Sequence, residues 1–407
     1  MENIVLCVNA GSSSLKFALY AISESVEKKV AEGAIEGVGQ PSARLWIRDS
    51  HGHLLEDRKT KFSDAHETIG ALFSTLERPG LPAPAAVGHR IVHGGMNYTK
   101  PQKITPQLQA DLQALVHLAP LHLPGQIELI EAVRKWRPSL PQVACFDTAF
   151  HCRMPEVARR FPLPQSFWEQ GVRRYGFHGL SYEYVLSVLE KQSEDPSDRK
   201  NSRTIIAHLG NGASVVAVRD GIPVDTSMGL TPTSGFMMGT RSGDLDPGLV
   251  LYLLRSGYDA QALDDLFNHQ SGLLGVSGLS ADMKTLLEKR SSNPQADQAI
   301  TMFCRGVRKF LGAFAAVLGG LDTLVFTGGI GEHAAPVRQE ICSNMEFLGA
   351  LLDASRNEDH AAIISTPESR CTVRVIPTNE DLMIARHTAR VALSIQHSAF
   401  SPLDSLG

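Results

Sequence analysis

The chain has 407 residues, 43% of them hydrophobic and 20% charged, with a formal net charge of −4. That length suits two domains, and that apolar fraction is enough to bury a sizeable core. The near-neutral balance excludes the basic footprint of a nucleic-acid binder and an acidic disordered tail, so an anionic ligand must be met locally by a few placed Arg and Lys.

The N-terminus, Met1-Glu2-Asn3, leads straight into the apolar run IVLCV at 4–8, with no basic segment and no long apolar stretch. This argues against a secretory signal. Turn residues from Asn9 to Ser14 and a second apolar run, LKFALY at 15–20, complete a predicted strand–turn–strand. Thr105 reads as an N-cap and Pro106 as the first helical residue, followed by Leu108, Leu112, Leu115 and Val116 at helical spacing until Pro120. Ser181 is expected to cap a helix through Val185, Leu186 and Leu189, and the polar stretch 191–203 to form a surface loop. A second strand–turn–strand follows, TIIAHL at 204–209, GNGAS at 210–214 and VVAV at 215–218. Its recurrence roughly 200 residues after the first suggests a duplicated domain.

A long helix is predicted over 298–318. It feeds the run TLVFT at 323–327 and the cluster Gly328-Gly-Ile-Gly331, a strand–turn–helix order that suits a phosphate or nucleotide. The run 311–326 is broken by Gly312, Gly319, Gly320 and Asp322, too short and interrupted to span a bilayer. Residues 381–395 read as a closing Ala-rich amphipathic helix. Strands and helices in this order predict an α/β class. The six cysteines (Cys7, Cys145, Cys152, Cys304, Cys342, Cys371) form no CxxC pair and no zinc spacing, which suits a reducing, cytoplasmic setting. Neither a nucleic-acid partner nor a membrane is expected.

No GxxxxGK[ST] occurs, which excludes a Walker-type cradle, and no GxGxxG follows a strand. The protein-kinase signature set is also absent. A phosphate site would therefore use the Asn/Gly/Ser hairpins, whose turn N–H groups can form an anion nest. Four segments concentrate unusual polar residues: GHRIVHGG (88–95) with Arg90, CFDTAFH (145–151) with Asp147, RYGFHG (174–179) with His178, and MGTRSGDLDP (238–247) with Arg241. Each residue alone also suits a structural role. Asp147 fits a buried carboxylate bonded to backbone, and His178 a core or capping histidine. Arg90 and Arg241 fit ion pairs, and Glu380 the cap of the last helix.

Together these segments resemble the acetokinase family. The match adds NAGSSSLKF (9–17), LAPLH (118–122), HLGNGAS (208–214), DTSMGLTPTSGFMMGTRSGDLDP (225–247), TGGIGE (327–332) and TNEDLMIA (378–385). The resemblance implies two duplicated actin-like domains of the acetate and sugar kinase, heat-shock and actin type, ribonuclease H-like, with an interdomain active-site cleft. The first would span 1–150, with a C-terminal helix at 386–407 packing back on it. The second, nucleotide-binding, would span 151–385. The implied activity is reversible, Mg²⁺-dependent transfer of the ATP γ-phosphoryl group to acetate, giving acetyl phosphate and ADP, in a homodimer. Mn²⁺ is a possible substitute for Mg²⁺. Propionate or butyrate kinase on the same scaffold is the alternative, and an actin-like regulatory ATPase a distant one.

The resemblance also implies site roles. Asn9 and Glu380 match metal-site residues, with Asp147 close by. Asp147, His178 and Arg241 match the catalytic set. Arg90 matches the carboxylate-binding arginine, and Val92, Leu121, Phe177 and Pro232 the acyl pocket. Lys16 and the loop His208, Leu209, Gly210, Asn211 and Gly212 match phosphate contacts. Gly329, Ile330, Gly331, Glu332 and His333, with Asp282, Met283 and Lys284, match the nucleoside side. Three positions depart from the family pattern: Leu123 and His333 each replace an Asn, and Lys284 an Arg.

Overall fold

Alternation along one strand builds the first half of the molecule. In β1 (Asn3–Ala10), Leu6 and Val8 join one buried cluster while Val5 and Cys7 join another. Successive side chains of a strand point to opposite faces, so β1 is covered on both sides. The first cluster takes Ile69, Leu72 and Phe73 from the helix Ala65–Leu76 and Leu129 and Val133 from the helix Leu123–Trp136. The second takes Leu180 from the helix Gly179–Gln192 and Met383, Ile384, Ala385 and Ala389 from the helix Glu380–Leu393.

The computed structural model describes residues 2–10, 14–38, 42–60, 62, 64–77, 80–192 and 202–395. It falls into two compact units. One comprises the described residues of Met1–Phe150, Gly179–Ser187 and Asn379–Gly407, the other His151–His178 and those of Val188–Thr378. The first unit adds β2 (Ser14–Ile22), β3 (Glu27–Glu36), β4 (Ala43–Asp49), β5 (Leu54–Thr60), β6 (Ala86–Ile91), β7 (Gln102–Lys103) and β8 (Gln142–Phe146). Its sheet runs β5-β4-β3-β2-β1-β6-β8-β7. The second unit holds β9 (Arg203–Leu209), β10 (Ala213–Arg219), β11 (Ile222–Thr226), β12 (Thr323–Thr327) and β13 (Thr372–Val375), in the order β11-β10-β9-β12-β13.

The two sheets share one plan. In the first, β3, β2 and β1 pair antiparallel, and β1, β6 and β8 pair parallel. In the second, β11, β10 and β9 pair antiparallel, and β9, β12 and β13 pair parallel. The same five-strand order and the same change of direction occur twice. The fold is thus α/β with two duplicated actin-like domains, and the recurring strand–turn–strand was its visible trace.

Local chemistry sets most element ends. Thr105 Oγ1 accepts from Leu108 N at 3.1 Å, and Pro106 opens its helix. The long helix begins earlier than expected, at Pro294, because Asn293 caps it; it ends at Leu318, where Gly319 turns left-handed. Its buried stripe, Ala296, Ala299, Ile300, Phe303, Val307, Leu311 and Phe314, has helical period. Ser181 is not a cap. The helix starts at Gly179, directly after His178 turns to a φ of 60°, and Ser181 is buried within its first turn. The cap of the last helix is Asn379, whose side chain accepts from Leu382 N and from the Tyr20 hydroxyl, both at 3.0 Å. Turn residues 11–13, loop residues 193–201 and the tail 396–407 lie outside the described residues.

The last helix is tied down polarly as well. Arg386 forms a two-pronged pair with Glu27 at 2.6 and 2.8 Å and donates to Ser187 Oγ at 3.0 Å. His387 meets Glu183 at 2.6 Å. Beneath it, Gly88 of β6 leaves room where a β-carbon would collide with Thr388 Oγ1 and the Ile384 side chain.

Two buried imidazoles give this fold an acid limit. His89, 1% exposed, bonds Gln142 Oε1 at 2.7 Å, and burial pushes it down to about 4 from an ordinary 6.5. Burial likewise holds His151 at about 4. The unfolded chain therefore takes up protons first as pH falls. The stabilisation is complete above about pH 6.5 and is lost progressively toward pH 4, on the order of 2–3 kcal/mol per ring. Urea unfolding at pH 7 and pH 5 should show this loss. His89→Gln, which keeps a partner for Gln142 without titrating, should flatten the slope, and an unchanged slope would remove His89 from the account.

Candidate active site

Parallel neighbours deliver one group of polar residues. The carboxyl ends of β1, β6 and β8 lie side by side, the usual place for ligand-handling residues in α/β sheets. Asn9 lies near the end of β1, Arg90 is the penultimate residue of β6, and Asp147 comes directly after β8. The Asp147 N–H closes the ladder on Ile91 O at 2.9 Å, one residue past the end of β8. Glu380 is the first residue of the last helix.

Arg90 gathers these residues. Its Nε lies 3.1 Å from both Asp147 carboxylate oxygens, and Nη2 lies 2.6 Å from Oδ2. Nη1 donates to Asn9 Oδ1 at 3.2 Å, and Nε stands 3.6 Å from Glu380. Asp147 is fully buried while 20% of the Arg90 side chain is exposed. Burial alone would pull the guanidinium down, but the charges of Asp147 and Glu380 outweigh it and hold Arg90 above its ordinary value. Lys16 is the cross-strand partner of Asn9 and is exposed. Val92, buried just after β6, donates its N–H to Gln126 Oε1 at 3.1 Å, and Leu121 is half-buried.

The second unit holds its own group. The hairpin between β9 and β10 is closed by Gly210 N on Gly212 O at 3.1 Å. A β-carbon on Gly212 would lie 3.5 Å from both His178 Nε2 and Arg241 Nη1, so both side chains end beside the hairpin turn. His178 Nδ1 bonds Ser214 Oγ at 2.8 Å, and its ring stacks on His208 with centroids 4.3 Å apart. A φ of 60° is unusual for a side chain of this size, and such strain gathers at functional positions. The chain leading to it is braced by His151, whose Nε2 lies 2.9 Å from Phe177 O; a carbonyl only accepts, so this nitrogen carries the proton. Arg241 Nη1 donates to Pro232 O at 3.1 Å, and Gly239 N donates to Asn211 O at 3.0 Å, tying the Arg241 loop to the hairpin.

The nucleoside-side residues divide. Thr327 pairs with His208 in register, so the Gly328–His333 turn begins at the sheet edge that carries the hairpin. Gly329 has open space around it, and His333 is exposed. Glu332 instead turns inward, where Oε1 accepts from Gly328 N at 2.9 Å and Thr378 N at 3.0 Å. Leu209 and Met283 send their side chains into the core and can offer a ligand only backbone. Asp282 caps the helix Met283–Lys289 through Thr285, while Lys284 is exposed.

Asn9 and Glu380 offer hard oxygen donors, which fit Mg²⁺ or Mn²⁺. Among the described residues no group of three or more His, Cys, Asp and Glu could hold a metal by itself. Nor is any described helix long and apolar enough to cross a membrane. The roles of Ser214 and His151 escaped the sequence reading. Ser214 lies inside the HLGNGAS motif but has no distinctive spacing to His178.

Comparison with known proteins agrees with this architecture. The acetokinase family profile matches residues 4–386. An acetate kinase of Rhodopseudomonas palustris is 46% identical over 402 residues, covering 96% of this chain and 99% of the relative. A propionate kinase of Citrobacter rodentium is 40% identical, covering 97% and 98%. Among solved structures, the Porphyromonas gingivalis acetate kinase superposes with a TM-score of 0.86 at 38% identity, covering 96% and 99%. The Francisella tularensis propionate kinase gives 0.88 at 36%, covering 96% and 100%. A profile match over nearly the whole length, relatives of equal extent and a shared duplicated fold lead to one assignment: the chain belongs to the acetokinase family of carboxyl-group kinases.

Proposed function

We propose that the chain is an acetate kinase, moving the γ-phosphoryl group of ATP onto acetate to give acetyl phosphate and ADP, reversibly. The observation that carries this reading is Arg90, a partly exposed guanidinium fixed on one side by a fully buried carboxylate. It is built to receive a second, small carboxylate, for which a planar, forked donor is well matched. Relatives named acetate kinase favour acetate, and relatives named propionate kinase make propionate the second reading.

Acetate, with a pKa of roughly 4 like that of Glu, is ionised at neutral pH and needs no strong base. One carboxylate oxygen bonds to the γ-phosphorus as the bond to the β,γ-bridging oxygen breaks, and ADP leaves with that electron pair. In-line transfer of this kind is governed by positioning and charge compensation. Arg90 orients the carboxylate, and we assign Val92 and Leu121 of its own unit, and Phe177 and Pro232 of the other, to recognition of the acyl methyl group. Asp147 holds Arg90 in place, since its oxygens accept three of that residue's hydrogen bonds. His178 and Arg241 stabilise the phosphoryl group in flight, a role supported by their convergence beside Gly212. Lys16 and the His208–Gly212 hairpin serve the phosphates, and Gly329 to Gly331 the nucleoside. Asn9 and Glu380 would hold Mg²⁺, which when bound neutralises phosphate charge.

The six free cysteines suit a reducing compartment, and we assign the cytoplasm. We also propose a homodimer. The helix Pro247–Arg255 has no buried residue and exposes Leu249, Leu251, Tyr252 and Leu254, an apolar surface that suits an interface.

Three outcomes are expected. Hydroxylamine trapping of acyl phosphate across short acids should give kcat/KM for acetate above propionate and propionate well above butyrate, each methylene costing about 1–3 kcal/mol; preference for propionate would transfer the assignment to the second reading. His178→Ala and Arg241→Ala should each lower kcat by about 10²-fold or more with little change in ATP affinity. Near-normal kcat in either would exclude that residue from the transition state. Leu251→Glu combined with Tyr252→Glu should halve the mass seen by light scattering, whereas a wild type already monomeric would end the dimer proposal.

A further inference from the structure

The turn after β12 is short, and its terminal carbonyls lie next to a buried charge. Arg338, on the helix Ala335–Cys342, is fully buried. Its Nη1 donates to Gly331 O and Glu332 O, both at 2.9 Å. Nε donates to Asn357 Oδ1 at 2.8 Å, and Nη2 to Asn357 O at 2.6 Å and His360 Nδ1 at 2.9 Å. Because arginine only donates, His360 must present a bare Nδ1 and carry its proton on Nε2. All five acceptors are neutral. A buried guanidinium with no carboxylate partner is costly unless every donor is used. Here Nη1 is spent on two carbonyls near the end of a helical turn, groups that have no partner within the turn itself, and the other donors go to Asn357 and His360.

The opposite end of the same turn is closed by Glu332. Its Oε1 accepts from Gly328 N, the first residue of the turn, and from Thr378 N. Gly328 has a φ of 76°, and a β-carbon there would collide with the Leu209 backbone. The turn is thus clamped at its first N–H by a carboxylate and at its last carbonyls by a guanidinium. The intervening Gly329 has nothing near its β-position. His333 meets the ring of His360 edge-on with centroids 6.2 Å apart, so the exposed end of the turn leans on the residue Arg338 holds.

We propose that Glu332 and Arg338 are positioning residues that preorganise the Gly328–His333 turn for the nucleoside of ATP, an inference that rests on reading this turn as part of the nucleotide site. Neither needs to touch the nucleotide. Glu332 acts as an internal brace in place of the nucleotide contact expected for it from family resemblance. Breaking either clamp lets the turn's free N–H and C=O groups reorient, so nucleotide binding weakens while the transfer step, handled elsewhere, is kept.

The test uses the full-length enzyme with ATP and acetate. Glu332→Ala should raise the KM for ATP about tenfold, the scale of one lost charge-assisted hydrogen bond. Its kcat should stay within about twofold and its KM for acetate should not move, the pattern of a ground-state binding loss. Glu332→Gln, whose amide oxygen can accept the same two N–H groups, should restore most of the affinity. Arg338→Met should act in the same direction and, combined with Glu332→Ala, less than additively, because both hold one turn. Hydrogen exchange should quicken at residues 328–333 in each variant without ATP present. If Arg338→Met does not fold, the Glu332 pair and the exchange measurement decide alone. Gly329→Glu, which faces open space, separates the two layers of the reading. An unchanged KM for ATP in Gly329→Glu would take the turn out of the nucleotide site, and the proposal with it. A raised KM there with an unchanged KM in Glu332→Ala, or Glu332→Ala losing kcat alone, would overturn the bracing role only.

Discussion

A fully buried carboxylate next to a half-open guanidinium is the constraint around which the first unit is arranged. Asp147 has no exposure, and an unpaired carboxylate in that position would be costly enough to protonate or to unfold the region. Arg90 relieves that cost, but only because parallel pairing sets β6 beside β8 and ends both strands together. The same register puts Asn9 at the end of the next strand, and the last helix starts with Glu380 within reach. One ion pair thus explains why four residues distant in sequence must meet. It also shows how a cation can be held on one side by a buried carboxylate while part of it stays exposed.

The second unit solves the buried-charge problem differently. Among the described residues no carboxylate bonds to the buried Arg338, whose hydrogen bonds go to carbonyl oxygens and one imidazole. Arg90 keeps part of its side chain exposed, as the carboxylate contact proposed for it requires. An arginine meant to fix backbone keeps none.

Much of this was legible in the sequence because its signals are local. Thr105 followed by Pro106 carries its own cap chemistry, and two runs of apolar residues broken by Asn, Gly and Ser predict hairpins. The duplication was suggested by those hairpins and is seen fully in the matched strand orders. The candidate site was legible where residues sit in dense motifs, as with Arg90, Asp147, His178 and Arg241. Ser181 misled because a serine ahead of an apolar run looks like a cap, whereas the left-handed turn at His178 starts the helix sooner. The inward turn of Glu332 and the clamp of Arg338 were illegible. Their partners are backbone atoms, and a backbone N–H or C=O leaves no mark on the residue type that supplies it.

The three departures from the family pattern fall in unlike surroundings, and this decides how each can act. His333 and Lys284 are exposed, so replacing an Asn and an Arg there alters what the surface offers without disturbing the core. Lysine cannot stack or donate in a planar fork as arginine can, so any effect of Lys284 is on direct recognition. Leu123 is completely buried in the first turn of the helix Leu123–Trp136. An asparagine there would need partners for its amide, while a leucine needs only volume. One turn along the same helix, Gln126 is buried and its side chain accepts the N–H of Val92, a residue taken to line the acyl pocket. Residues three apart on a helix share a face. A buried leucine offers no hydrogen bond to a substrate, so any influence of Leu123 on acyl length must run through the packing of this turn and the position it gives Val92.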